Sequence, residues 1–339
     1  MDMKTLRDKA REGMKGFCRV CPICDGKSCC GQMPGMGGIG TGSAFIANYA
    51  ALRQTRVNMR VVHDATAPDT SLTLFGEKLN FPIMGAPMAA CNINCGPYDD
   101  YAFEESLMFG AANAGTLGWI GDPSLPEAYE NGMRAMQAVK KGVIIIKPHK
   151  NLDEIYKRFE RAGRAGAVAF GVDLDGAGIL LLKKLGYPMS PKTIAELSKL
   201  RAFAPDKPFI VKGVMTPDDA LRCGDAGVSH IVVSNHGGRV LDHTPGVAEV
   251  LPGIRRAVGD TMHILADGAV RSGVDVLKYI ALGAQAVLVG RPLCWGVYGG
   301  GGEGVRLVME EYATQLTQAM VLTGCRDLSE IDSRVIYGM

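Results

Sequence analysis

The chain has 339 residues, 47% apolar and 21% charged, a balance that fills a sizeable core and excludes a disordered chain. Its 37 basic and 35 acidic side chains leave a net charge of +2, and without a basic stripe nucleic acid is not an expected partner. No apolar run approaches the roughly 20 residues of a membrane span and the first residues carry no apolar signal core, so a cytoplasmic location is expected.

The first 80 residues read as a Cys- and Gly-rich extension of helix and loop, opening on the charged stretch MDMKTLRDKAREGMKGF. In a cytoplasmic setting the ten cysteines are thiols, metal ligands or redox centres rather than a disulfide framework. Five of them, Cys18, Cys21, Cys24, Cys29 and Cys30, crowd into one segment. Cys-x2-Cys-x2-Cys spacing occurs at iron–sulfur sites, and Cys-x2-Cys pairs also bind zinc. A cluster of reduced thiols without metal is the bland alternative. The run Gly31–Gly42 (GQMPGMGGIGTG) looks like a phosphate loop but follows no strand, so it reads as a flexible wrap.

From residue 81 to 339 the pattern alternates. Continuous apolar runs at 82–87, 116–120, 143–147, 167–173, 208–213, 229–234, 262–267 and 285–290 are expected strands. Runs without polar alternation suit parallel strands buried on both faces. Helix signals fall between them. Ser190-Pro191 is an expected start, and Thr216-Pro217-Asp218-Asp219 reads as N-cap, first-turn proline and first-turn acids, with Gly227 at the end. Ser272 caps another helix that runs to Gly283. Gly299–Gly302 reads as a loop before a last helix with the apolar stripe Val305, Val308, Tyr312, Leu316 and Met320. Eight such units predict an α/β fold, a closed (β/α)8 TIM barrel behind the N-terminal extension, with an open doubly wound sheet as runner-up.

The chemically capable residues follow the later strands, where a barrel builds its active site. Lys212-Gly213, Ser234-Asn235-His236-Gly237-Gly238-Arg239, Asp267-Gly268-Ala269-Val270-Arg271 and Gly290-Arg291 all fall at such ends. Glycines beside Arg271 and Arg291 read as a phosphate cradle, the plain alternative being turns with solvated arginines. His236, in a glycine turn, can take a proton, and Arg239 can fork onto a carboxylate. His230, inside a strand, reads as structural.

Together Lys212-Gly213, Ser234–Arg239, Asp267–Arg271 and Gly290-Arg291 resemble the FMN-dependent 2-hydroxy-acid oxidase/dehydrogenase family, which includes glycolate and lactate oxidases. The resemblance is close over 208–331, looser over 69–173, and poor over 1–60. It implies FMN as cofactor and oxidation of an (S)-2-hydroxy acid to the 2-keto acid, with electrons passing to flavin N5. Lys212 would lie at the flavin N1/O2 edge, and Pro87, Met88 and Ala89 against the ring near N5. Ser234 would also touch the ring. Asp267, Gly268, Arg271, Gly290 and Arg291 would hold the ribityl phosphate. His236 would be the general base and Arg239 the carboxylate anchor. Asp173 would be the carboxylate that pairs with His236. A homo-oligomer is implied by the same analogy, and an electron-acceptor protein in place of dioxygen is left open.

The chain departs from the family on the substrate side. The family's tyrosines are missing, the glutamine on the strand near 143–147 is aliphatic, and its strand-four threonine aligns with Gly171. The second substrate arginine has no counterpart between Leu174 and Met189; Lys147, His149 and Lys183 are the nearby cations. These losses keep two other readings open. One is a flavin-dependent isomerase or reductase on the same barrel, and the other a flavin- or metal-binding regulatory protein.

Overall fold

The computed structural model describes residues 1–179, 182 and 184–339. A small antiparallel hairpin, β1 (Leu72–Leu74) and β2 (Glu77–Leu79), precedes eight parallel strands. These are β3 (Ile83–Gly85), β4 (Trp119–Gly121), β5 (Gly142–Ile146), β6 (Ala167–Asp173), β7 (Phe209–Val214), β8 (His230–Val233), β9 (His263–Ala266) and β10 (Ala286–Val289). Their ladder order is β3-β10-β9-β8-β7-β6-β5-β4, a circle in chain order. The remaining seam carries one parallel bridge, between Met88 and Ile120. The barrel expected from the apolar runs is therefore present, each run supplying one strand.

Alternation along the strands explains why those runs carry no polar residues. In β5, Val143 and Ile145 point into the barrel, while Ile144 and Ile146 pack outward under helices, and all four are buried. The bottom of the inner core is closed by the hairpin, whose Leu74, Phe75 and Leu79 join Trp119 and Met84. That plug lay outside the sequence expectation of helix and loop. Phe75 and Gly76 both take positive φ, 55° and 78°, which matches a two-residue turn with the twist of the flanking strands. Phe75 then packs against Trp119 and His230, and His230 stacks on His263. Burying such a phenylalanine contributes about 2 kcal/mol.

The caps place the helices. Thr216 and Ser272 accept hydrogen bonds from Asp219 N and Asp275 N, so the helices Pro217–Asp225 and Gly273–Ala281 begin where the sequence expects. The helix expected from Ser190-Pro191 instead starts at Ile194, because Thr193 and Glu196 form a reciprocal capping box. The last helical stretch, Arg291–Thr323, is broken at Gly300 and Gly301, a kink rather than a free loop. Its stripe Val305, Val308, Tyr312, Leu316 and Met320 is buried as expected.

Within the extension, helix Met3–Gly13 packs on Arg291–Thr323 and helix Ser43–Gln54 on Val247–Val258. The glycine-rich run between them is pinned rather than loose. Ile39 N donates to Gly238 O at 2.9 Å, and Asp242 accepts from Thr41 Oγ1 and Ser43 Oγ at 2.8 and 2.7 Å. It therefore covers the carboxyl ends of the late strands.

Candidate active site

Asp173 closes β6 and stands in register with Lys212 of β7. The ladder itself thus sets their ion pair, Lys212 Nζ to Asp173 Oδ1 at 3.2 Å. Lys147, just past β5, holds the other oxygen. Lys212 also lies 3.8 Å from Asp267 Oδ2. Both Asp173 and Lys212 are only 3% exposed. Burial works to raise the pKa of Asp173, but Lys147, Lys212 and His236 overcome it and hold the carboxyl well below the usual range. Burial likewise works against charge on Lys212, yet Asp173, then Asp175 and Asp267, lift it above an ordinary lysine.

The loop after β8 carries His236. Ser234 Oγ donates to Asp267 Oδ2 at 2.8 Å and accepts from His236 N at 3.0 Å. His236 sits at φ +57°, uncommon for a residue with a side chain. This turn aims the imidazole back toward β6, where Nδ1 lies 3.0 Å from Asp175 Oδ1 and 3.5 Å from Asp173 Oδ2. Among the described residues Nε2 has no hydrogen-bond partner.

Asp175 is the site residue that sequence reasoning missed. It lies in the turn Leu174–Gly178, and its approach requires Gly213. That glycine takes φ +98°, and a Cβ there would fall 2.8 Å from the Asp175 Cβ. The readable signal was the Asp-x-Asp spacing after β6 together with a glycine directly after Lys212. Asp173, Asp175 and His236 bring their ligating atoms within 4.8 Å of one another. Lys147 and Lys212 already supply positive charge there, so the trio suits an acid–base group rather than a cation site.

Three partly buried guanidinium groups share the same mouth. Arg239 donates to Gly35 O and to Asn94 Oδ1, the latter at 2.7 Å. Arg271 donates to Val270 O at 2.9 Å and faces Cys24 Sγ at 3.4 Å. Arg291 donates to Met36 O, Gly37 O and Gly237 O at 2.7, 3.1 and 3.2 Å, with its guanidinium 3.7 Å from the Phe45 ring centroid. Among the described residues no carboxylate lies within 4.0 Å of any of the three. Burial, then the neighbouring Arg239, push Arg291 down to about 10. Arg271 Nε and Asp267 Oδ1 are buried without partners. Cations without counter-charge beside an orphaned acceptor are the donor set of a site for an anionic, hydroxyl-bearing ligand.

Residues 35–180 and 183–338 match the family model of the FMN-dependent dehydrogenases. The chain belongs to this family. The L-lactate oxidase of Nostoc sp. is 30% identical over 331 residues, covering 86% of this chain and 88% of that protein. The 4-hydroxymandelate oxidase of Amycolatopsis orientalis is 32% identical over 330 residues, covering 86% and 89%. Mandelate oxidase with benzoyl-formic acid superposes with a TM-score of 0.80 at 30% identity, over 99% of this chain and 97% of that one. Nothing in these likenesses supports the isomerase, reductase or regulatory readings.

The family's cofactor fits the residues present. Arg271 and Arg291 suit a phosphate. Asp267, with a buried oxygen lacking a donor, suits a ribityl hydroxyl, since an ionised carboxylate accepts but does not donate. Gly268 takes φ +98°, and Gly290 directly precedes the helix that Arg291 opens. On the β3 side, Pro87, Met88 and Ala89 follow the strand, with Met88 in the bridge to Ile120 and its Sδ 3.4 Å from Cys294 Sγ.

The departures also have local causes. A Cβ at Gly171 would lie 2.5 Å from Ile145 Cδ1 and 2.7 Å from Ile210 O, so a threonine has no room. Of the nearby cations, His149 is buried and bonded to Asp122 at 2.9 Å, and Lys147 is committed to Asp173. Lys183 lies outside the described residues. Of the five clustered cysteines, Cys18, Cys21, Cys24 and Cys29 line one cavity, whereas Cys30 is exposed outside it.

Proposed function

We propose that this family member oxidises an (S)-2-hydroxy acid to the 2-keto acid, with His236 as the base and Arg239 as the carboxylate anchor. The carrying observation is the imidazole, braced at Nδ1 by Asp175 and Asp173 and open at Nε2. Arg239 takes the substrate carboxylate in a two-pronged pair in place of Gly35 O and Asn94. His236 Nε2 accepts the substrate's proton, and the two carboxylates stabilise the imidazolium that forms. Lys147 and Lys212 keep Asp173 ionised for that purpose. Bound FMN supplies the two-electron acceptor. Pro87, Met88, Ala89, Lys212 and Ser234 would flank its ring, Gly268, Arg271, Gly290 and Arg291 would hold its ribityl phosphate, and Asp267 would accept from a ribityl hydroxyl.

In this reading residues 81–339 form the FMN-binding barrel and residues 1–80 the extension, whose glycine-rich run covers the mouth and whose hairpin closes the bottom. The ten cysteines are not paired in disulfides, which supports a cytoplasmic setting. Among the described residues no helix is long and apolar enough to cross a membrane. The strip Met59, Val61 and Val62, exposed at 75, 66 and 98%, supports a homo-oligomer.

Anaerobic mixing of the FMN-loaded protein with a panel of 2-hydroxy acids tests the reading. Rapid loss of the flavin's visible band with one of them is expected. No loss with any, while FMN stays bound, would overturn it.

A further inference from the structure

We propose that Cys18, Cys21, Cys24 and Cys29 are the four ligands of a [4Fe–4S] cluster seated in the N-terminal cover. The spacing alone leaves five candidates and two metals, and the fold narrows both. Those four thiols line one cavity, walled on its apolar side by Phe17, Met36 and Phe45. Cys30 is not part of it, since its thiol turns to Gly26 O and Lys27 O at 3.4 and 3.2 Å. The first three lie within one seven-residue segment, and the fourth ends the short 3-10 helix Lys27–Cys29 that follows Gly26, which takes φ +90°.

The metal follows from distance. Zinc–sulfur bonds of about 2.3 Å place four tetrahedral sulfurs roughly 3.8 Å apart. Among the described residues, however, the only trio of metal-ligating side chains with ligand atoms within 4.8 Å is Asp173, Asp175 and His236. No three of the cysteine sulfurs therefore lie within 4.8 Å of one another, which disfavours one tetrahedral ion, and Cys-x2-Cys-x2-Cys is a spacing that holds iron–sulfur clusters.

Charge and hydrogen bonding agree. Four thiolates on such a core leave it anionic, and Arg19 and Arg291 line the same cavity. Arg271 Nη2 faces Cys24 Sγ at 3.4 Å, and Val20 N donates to Cys18 Sγ at 3.4 Å. Donors to ligand sulfur stabilise a cluster and set its potential. The cysteines are distinct from the imidazole and carboxylates that carry the proposed oxidation, and the two sites share only Arg271 and Arg291, so iron and sulfide content reads the cluster independently of substrate oxidation.

The test uses the full chain, purified anaerobically and reconstituted with ferrous iron and sulfide. Wild type should hold about four irons and four labile sulfides per chain and give a paramagnetic signal on reduction with dithionite. Cys30→Ser should match it. The Cys21→Ser/Cys24→Ser double variant should lose more than half of the iron and the signal. Its circular dichroism and monodispersity should stay those of wild type, separating cluster loss from misfolding. Zinc without labile sulfide, a wild type that takes up no iron, a double variant that keeps the signal, or Cys30→Ser losing as much as the double variant would each overturn the proposal.

Discussion

Asp175 Oδ1 lies 3.0 Å from His236 Nδ1, so the nearest brace on the imidazole comes from a turn and not from a strand. Replacing the base itself, H236Q, should lower kcat by about 10²–10⁴-fold, the usual range for a positioned proton acceptor. D175N should keep FMN and KM but lower kcat roughly tenfold, because the imidazolium loses its closest counter-charge. Steady-state rates on the substrate found in the panel decide this. A D175N rate equal to wild type would take Asp175 out of the base's support.

Arg239 has only neutral partners among the described residues, Gly35 O and Asn94. R239M should therefore raise KM for a hydroxy acid by at least about tenfold, equivalent to roughly 1.4 kcal/mol. The methyl ester of the same acid should lose far less, since it offers no anion to the guanidinium. Equal losses on acid and ester would place Arg239 away from the carboxylate.

Stability should depend on pH from both sides of the buried ion pair. Asp173 is held well below its ordinary value once folded. Its contribution is complete above the unfolded value near 3.9 and fades as pH falls through the lower folded value. Lys212 is raised, so its contribution is complete below about 10.4 and fades as pH rises through the higher folded value. D173N should melt lower at neutral pH, by an amount equivalent to about 3 kcal/mol, because two ammonium groups lose their partner. Below about pH 4 its melting temperature should fall less steeply than that of wild type. Parallel melting curves over that interval would count against the ionised Asp173.

At Gly171, where a Cβ would meet Ile145 Cδ1 at 2.5 Å, restoring a threonine should destabilise rather than repair. G171T is expected to cost about 1–3 kcal/mol through overpacking, and G171A a smaller part of it. Thermal melting measures both. A melting point unchanged by threonine would mean that β6 shifts to admit the side chain.

The eight strands, the capped helices at Thr216 and Ser272, and the glycine turns with Arg271 and Arg291 could be read directly from the chain. Apolar periodicity, capping and turn chemistry are written in neighbouring residues. The plug at Phe75 escaped that reading because a three-residue strand carries too little pattern to stand apart from a loop. Asp175 escaped because it meets His236 across 61 positions, and Cys24 meets Arg271 across 247. The gathering of Cys18, Cys21, Cys24 and Cys29 around one cavity without Cys30, and the closure of the glycine run over the arginines, were likewise decided in the tertiary structure. Local sequence sets which conformations a segment favours, but it is the closing of the barrel that brings distant strand ends within hydrogen-bond range.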